Sequence, residues 1–276
     1  MEYGYISSRK NDKILYALKL SSKKFRDKEG LFYIEGAKLF EEAVLENLNV
    51  VRIFFTQSAL NKYETLISKA DKAELIMVTD EVFEKLTEET APQGIFAVIE
   101  KPTPHKFSNE DLCNGGFLIL EDLQNPLNVG ALFRCAYSLG TDKIVLTGGC
   151  ADVYNPKVLR SAMGSIFKCR FVYCNDLHSF IKEQISHGNR VIATALNEKS
   201  NVLGSFNFKK SDSIVIGNEG NGVKNETCDI CDCSLIIPMM DGAESLNAAT
   251  ACSVVLWEMN KDKLINITQK GENSNG

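Results

Sequence analysis

Along the chain, short apolar runs alternate with longer stretches in which apolar residues recur every three to four positions. Read with period two for strands and 3.6 for helices, that alternation predicts a succession of β–α units. In the first hundred residues the predicted strands are 32–34, 50–55, 75–78 and 95–99. Helical spacing falls on 10–20, 37–48, 58–69 (with Ser58 as cap) and 80–86. Residues 101–114 hold two prolines and mostly polar side chains and read as a linker. Beyond it, strands at 117–120, 143–146, 171–173, 191–194, 214–216 and 235–237 alternate with helices opening near Pro126, Pro156, Leu177 and Ser245. The last helix is expected to reach about Asn260 and to give way to a frayed polar tail. The expected organisation is therefore a small α/β domain over 1–100, a linker over 101–114, a larger α/β domain over 115–260 and a tail over 261–276.

Composition changes this picture little. With 44% hydrophobic and 24% charged residues, the 276-residue chain reads as a soluble globular protein. No apolar run approaches the ~20 residues of a membrane span. The polar opening MEYGYISSRKNDK lacks the apolar core of a secretory signal, so a cytoplasmic location is expected. Nine cysteines, an odd number, are then expected as reduced thiols. Cys228, Cys231 and Cys233 have metal-like spacing, but His105, His178 and His187 lie elsewhere in the sequence; no metal is expected.

The formal net charge of −5 argues mildly against a nucleic-acid partner. Yet eight basic residues fall between Ser7 and Lys28, against only Asp12 and Asp27. Such a run is ordinarily a solvated helix face. Its candidate RNA contacts are Arg9, Lys10, Lys23, Lys24 and Arg26.

Three polar loops carry the candidate chemistry. Gly217-Asn218-Glu219-Gly220-Asn221-Gly222 follows a predicted buried strand but lacks the Lys-Ser/Thr of a phosphate loop and the spacing of the dinucleotide fingerprint. Its glycines let backbone approach a ligand closely, though such loops are more often plain turns. Asn125, Asn128 and Arg134 share one loop-to-helix unit, where the arginine either pairs with an acid or aims its planar fork at a phosphate or oxyanion. Ser245 and Asn247 can simply cap the last helix. Three scattered histidines make a hydrolytic triad improbable.

Taken together, the segments NPLNVGALFRCAYSLG (125–140), IVIGNEGNGV (214–223) and IPMMDGAESLNAATACSVVLWE (237–258) resemble, in order and spacing, the signature motifs of the SpoU/TrmH family of RNA ribose 2′-O-methyltransferases of the SPOUT superfamily. SSRKNDKI and LFYIEGAKLFEEAV resemble that family's ribosomal-protein-like substrate-binding domain. The likeness covers about residues 5–260, and is greatest to bacterial members acting on 23S ribosomal RNA. It implies a C-terminal α/β trefoil-knot methyltransferase domain preceded by a small α/β substrate-binding domain, working as a homodimer through the knotted domain. True knots are nearly absent from proteins, and periodicity alone would not suggest one.

The resemblance further implies transfer of a methyl group from S-adenosyl-L-methionine to a ribose 2′-hydroxyl, in rRNA or, as the alternative, in tRNA. Matching positions place the cofactor against Thr194, Ala195, Leu196, Gly217, Asn218, Gly220, Ile237, Met239, Ser245 and Leu246. Arg134 matches the central catalytic residue, and Asn128, Glu219, Ser245 and Asn247 match the remaining polar positions. A non-catalytic RNA binder of the same fold would be expected to lack Arg134, Ser245 or Asn247. A dinucleotide-dependent oxidoreductase would need a glycine fingerprint straight after Leu120, where EDLQNPLN stands instead.

Overall fold

The computed structural model describes residues 2–195, 200–242 and 245–273. They form two compact units. Unit one takes Met1–Thr103 together with Asp152–Phe167; unit two takes Pro104–Ala151 and Lys168–Gly276. The chain therefore does not divide at a single point. Residues 152–167, expected inside the second domain, gather with the first.

Unit one runs β1 (Gly4–Ile6), α1 (Asp12–Lys19), α2 (Lys23–Glu29), β2 (Leu31–Glu35), α3 (Ala37–Leu45), β3 (Val50–Phe55), α4 (Gln57–Ile67), β4 (Glu74–Val78), α5 (Asp80–Leu86) and β5 (Ile95–Glu100). Its five-stranded sheet has the order β1-β4-β3-β5-β2. β1, β4 and β3 run parallel, while β5 is antiparallel to both β3 and β2. The expected cap Ser58 lies one residue inside α4. Thr56 takes that job, its Oγ1 accepting from Ala59 N at 3.2 Å. One face of the sheet buries Tyr33, Phe54, Ile76 and Phe96 against Ile14, Leu20 and Phe83, with Tyr33 and Phe96 stacked at 4.6 Å. A chain reversal between β2 and α3 needs the positive φ of Gly36, 92°.

Arg26 corrects the expected RNA surface. It sits on α2 at 2% exposure, where no phosphate can reach it. Its Nη1 donates to the carbonyls of Leu20 and Ser21, each at 2.8 Å, and its Nη2 lies 2.5 Å from Asp152. A guanidinium whose Nη atoms are bonded to two carbonyls and a carboxylate is a tether: it fastens the returning segment 152–167 to α2, although its buried Nε has no partner among the described residues.

Unit two comprises α6 (Asn109–Asn114), β6 (Phe117–Leu120), α7 (Pro126–Ser138), β7 (Lys143–Thr147), the departing helices α8 (Pro156–Ala162) and α9 (Ser165–Lys168), β8 (Arg170–Cys174), α10 (Leu177–Ser186), β9 (Val191–Thr194), β10 (Asn201–Val202), β11 (Ser213–Ile216), α11 (Asn225–Ile230), β12 (Cys233–Ile236) and α12 (Ala248–Asn273). Of these, α8 and most of α9 belong to unit one. Seven parallel strands stand in the order β10-β12-β9-β11-β6-β7-β8. The central strands are apolar along their length because both faces are covered: Leu118, Ile119, Ile144, Val145, Ile192, Ile214 and Val215 are fully buried.

Three expectations for this unit change. Within the supposed linker, residues 104–114 belong to unit two; Ser108 and Asp111 form a capping box for α6, and Phe107 and Leu112 pack on the core. The last strand begins two residues early and leaves Ile237 beyond its end. The supposed tail instead continues α12 to Asn273, held where Lys263 donates to the Gly140 carbonyl at 3.2 Å. No helix among the described residues is long and apolar enough to cross a membrane.

Replacing Arg26 by Ala would leave Asp152, 11% exposed, without its counter-charge. We expect unit one to lose about 3 kcal/mol, read by hydrogen exchange at the β2 and β5 amides, with Arg26→Met/Asp152→Asn recovering much of it. An Arg26→Ala protein with unchanged exchange would remove the tether from the account.

Candidate active site

Parallel strands send their carboxyl ends to one edge, so the loops leaving β9, β11 and β12 converge there. Those loops, together with the start of α7, enclose a cavity of about 920 Å³. The apolar wall comes from Ile216, Leu235, Ile236 and Ile237. Thr194 and Ala195 contribute from β9, Gly217, Asn218 and Gly220 from the next loop, and Met239, Ser245 and Leu246 from the last. Leu196, also expected there, lies outside the described residues.

The loop after β11 is pinched. Asn218 and Gly222 exchange backbone hydrogen bonds at 3.0 and 2.8 Å. Within it the Asn218 Oδ1 accepts from Gly220 N at 2.9 Å and from Asn221 N at 3.2 Å. A Cβ on Gly217 would fall inside the backbone of Gly222 and Val223. Glycine at 217 is therefore a packing requirement, beyond any freedom of φ.

The polar positions are joined by one chain of side-chain hydrogen bonds. Asn247 Nδ2 donates to Asn128 Oδ1 at 3.0 Å, and Asn128 Nδ2 donates to Glu219 Oε1 at 3.0 Å. Glu219 also accepts from the backbone N–H groups of Asn125 (3.1 Å) and Gln124 (3.3 Å) at the start of α7. Asn128 is buried, so both ends of its amide need the partners they have. Asn247 does cap α12, its Oδ1 accepting from Ala249 N at 2.9 Å, while its amide nitrogen makes the cross-link. Desolvation raises the Glu219 pKa, but the Asn128 amide and the surrounding backbone N–H groups outweigh it and hold the carboxyl below the usual range. An ionised carboxylate at the positive end of α7 is favourable in its own right.

Arg134 stands apart. It occupies the exposed side of α7, does not line the cavity, and has no hydrogen-bond partner among the described residues. Ser245 is exposed at the cavity with no partner among them either. Asp122 was not anticipated. It follows β6 with φ 53°, a left-handed conformation unusual outside glycine. Hydrogen bonds from Lys224 and from the Thr147 hydroxyl (2.6 Å) keep its carboxyl low. Its carbonyl accepts from Asn218 Nδ2 at 2.8 Å, which steadies the cofactor-side loop. Only the strand register brings these positions together, so sequence spacing offered no signal for Asp122. Cys228, Cys231 and Cys233 are protonated thiols, burial pushing Cys231 up to about 12. No group of three metal-ligating side chains occurs among the described residues.

A family model described as the SpoU rRNA Methylase family matches residues 116–257. The chain belongs to this family. A second, the MRM3-like substrate binding domain, matches residues 11–97. The Bacillus subtilis 23S rRNA (guanosine(2553)-2′-O)-methyltransferase RlmP is 35% identical over 92% of this chain and 98% of its own length. The Streptomyces viridochromogenes 23S rRNA (uridine(2479)-2′-O)-methyltransferase is 26% identical over 89% of this chain and 88% of its own. An AdoMet-bound rRNA methyltransferase from Sinorhizobium meliloti superposes with a TM-score of 0.82 at 25% identity, covering 94% of this chain and 98% of that one.

The cavity of this SpoU-family protein fits S-adenosylmethionine. An apolar wall suits an adenine face, and the side-chain-free edge at Gly217 and Gly220 leaves backbone groups open to its polar rim. The protein uses this cofactor, as its family does.

Two outcomes follow. Gly217→Ala should remove S-adenosylmethionine binding in calorimetry while the strands of unit one keep their exchange protection. For Glu219, a pKa lowered in the folded state means its contribution is present above the unfolded value of about 4.3 and fades as pH falls through the folded one. Solvent screening keeps that contribution to about 1 kcal/mol or less. The stability gap between parent and Glu219→Gln should thus be constant above about pH 5 and narrow as pH falls through the lowered folded-state value. A gap that widens in acid would contradict the assignment.

Proposed function

We propose that the protein transfers the methyl group of S-adenosylmethionine to a ribose 2′-hydroxyl of 23S ribosomal RNA. The observation that carries this reading is the Asn247–Asn128–Glu219 hydrogen-bonded chain. It ties the three signature segments into one rigid mouth for the cofactor cavity. The printed activities of the Bacillus and Streptomyces relatives, both 2′-O-methylations of 23S rRNA, supply the substrate class.

When bound, the cofactor supplies a methyl group activated on a sulfonium. The chain's own residues position the reactants and stabilise charge. Glu219 and Asn128 fix the first turn of α7, which carries Arg134. A guanidinium is effectively always protonated in proteins, so Arg134 acts as a cation. It grips a phosphate next to the target ribose and stabilises negative charge developing on the 2′-oxygen. Ser245, exposed at the cavity, is placed to hold the reacting ribose or the cofactor loop.

The same reading includes a trefoil knot built by the 213–260 block and a homodimer formed through unit two. Exposed Leu127 and Tyr137 on α7, and Val254 and Trp257 on α12, support such a contact. A surface carrying two large aromatics is the kind a stable dimer covers.

Arg134→Ala should lower methyl transfer to 23S rRNA by about 10²–10³ with little change in S-adenosylmethionine affinity, since the side chain is outside the cavity. Mapping 2′-O-methylation in ribosomal RNA with and without the protein gives the second readout. An unaltered methylation map would end the 23S assignment; a parental rate for Arg134→Ala would end its catalytic role.

A further inference from the structure

The loop that follows β11 is held at both ends by one buried residue. Glu121 comes immediately after β6 and is 3% exposed. Its backbone N–H donates to the Ile216 carbonyl at 2.9 Å, at the residue that precedes Gly217. Its carboxylate lies at the exit of the loop. There Oε2 accepts from Lys224 N at 2.9 Å, and Oε1 accepts from the Thr227 hydroxyl at 2.6 Å. Glu121 thus touches the chain just before segment 217–222 and again just after it. A carboxylate taken out of water is costly unless its oxygens are bonded, and here each one is.

Apolar packing alone would leave the exit loosely directed. Val223 sits in the core, but hydrophobic contact is non-directional and does not fix where the neighbouring N–H groups point. Lys224 stands at the N-cap of α11, yet its side chain makes no capping bond and pairs with Asp122 instead. The first turn of α11 closes on the Lys224 carbonyl, from Thr227 N at 3.0 Å and Cys228 N at 2.9 Å. By holding Lys224 N and the Thr227 side chain together, Glu121 grips that turn at both its ends. Thr227 is fully buried, and its Oγ1 lies 3.4 Å from His178 Nε2 as well. The entry side of the loop has a separate anchor, the Asp122 carbonyl on Asn218 Nδ2.

We propose that Glu121 is a positioning residue for S-adenosylmethionine: through Lys224 and Thr227 it holds segment 217–222 in the arrangement that receives the cofactor. The proposal rests on the reading of the cavity beside this loop as the cofactor's. Glu121 does not line that cavity, so it acts on the population of the competent loop. Apparent affinity falls by the fraction of molecules whose site is competent. A loop that spends about nine-tenths of its time elsewhere binds about tenfold more weakly, while each bound molecule keeps the parental geometry. A residue that only supports the fold behaves differently. Its loss lowers the number of sites and leaves the affinity of the remainder unchanged.

The test is calorimetry of the full chain with S-adenosylmethionine, read for both stoichiometry and Kd. Glu121→Ala should keep the parental stoichiometry and raise Kd about tenfold. Glu121→Gln should bring Kd back to within about threefold of the parent, because its amide oxygen still accepts from Lys224 N and its amide nitrogen donates to Thr227 Oγ1. Thr227→Val removes the hydroxyl from a side chain of similar shape and should raise Kd about fivefold. Hydrogen exchange at the β6 and β11 amides reports whether each variant is folded; where Glu121→Ala is not, Thr227→Val and Glu121→Gln decide. A fall in stoichiometry at unchanged Kd would overturn the proposal, as would a parental Kd in the folded variants that lack either bond. A parent protein that binds no S-adenosylmethionine would instead strike the reading of the cavity, whatever Glu121 does.

Discussion

One buried amide holds the site together. Asn128 is largely buried, so its oxygen and nitrogen are each favoured by a fixed partner. Asn247 supplies the donor and Glu219 the acceptor, from segments 119 and 91 residues away in sequence. Loss of any one of the three leaves the others with unmatched polar groups. This is why three loops, each of which could be an ordinary turn, hold one arrangement. Glu219 extends the constraint by accepting from the first backbone N–H groups of the α7 unit. That pair of contacts fixes the start of α7, and the buried Val129, Leu132, Phe133 and Ala136 hold the rest of the helix, with Arg134 on its exposed side.

A second constraint is steric. Gly217 admits no side chain, because the strands of its own loop close against it. Glycine there lets the two arms of the loop close on each other and sets the cavity wall beside them. Asp122 supports the same loop from the other side at the expense of a left-handed backbone, which its bonds to Thr147 and Lys224 stabilise. Strain behind the loop is thus held by ordinary hydrogen bonds one strand away.

Much of the fold was legible because it follows from periodicity. Fully apolar runs such as 117–120 and 214–216 mark strands covered on both faces, and Asn125-Pro126 and Asn155-Pro156 announce helix starts by cap and ring. What periodicity could not show was tertiary. The linker reading at 101–114 failed because Phe107 and Leu112 spend their apolar surface on the distant Phe117 cluster. The frayed tail failed because Lys263 finds the Gly140 carbonyl. Segment 152–167 carries no local mark of belonging to unit one; it is held there by Asp152 on Arg26, by Arg160 on Glu88 and Glu89, and by Tyr154 and Phe167 against Phe32. The polar site positions came from resemblance to a family, and the structure adds their connectivity. Asp122 had no signal of either kind.

The basic stretch shows how far charge counting can mislead. Of its five candidate RNA contacts, Arg26 is interior. Arg9 is bonded to the Glu81 carbonyl and to Glu84, and Lys23 to Asp27. Lys10 and Lys24 are exposed, with no side-chain partner among the described residues. These five are only part of the chain's 31 lysines and arginines, so neither they nor a net charge of −5 count its phosphate contacts. Affinity that comes from phosphates scales with their number and falls steeply with salt, so a protein with few of them has a shallow salt dependence. Where such contacts are few, selectivity rests on groups that read bases and shape. An acidic protein that acts on RNA is consistent on those terms, provided its substrate-binding unit offers pockets for bases in place of a continuous cationic face.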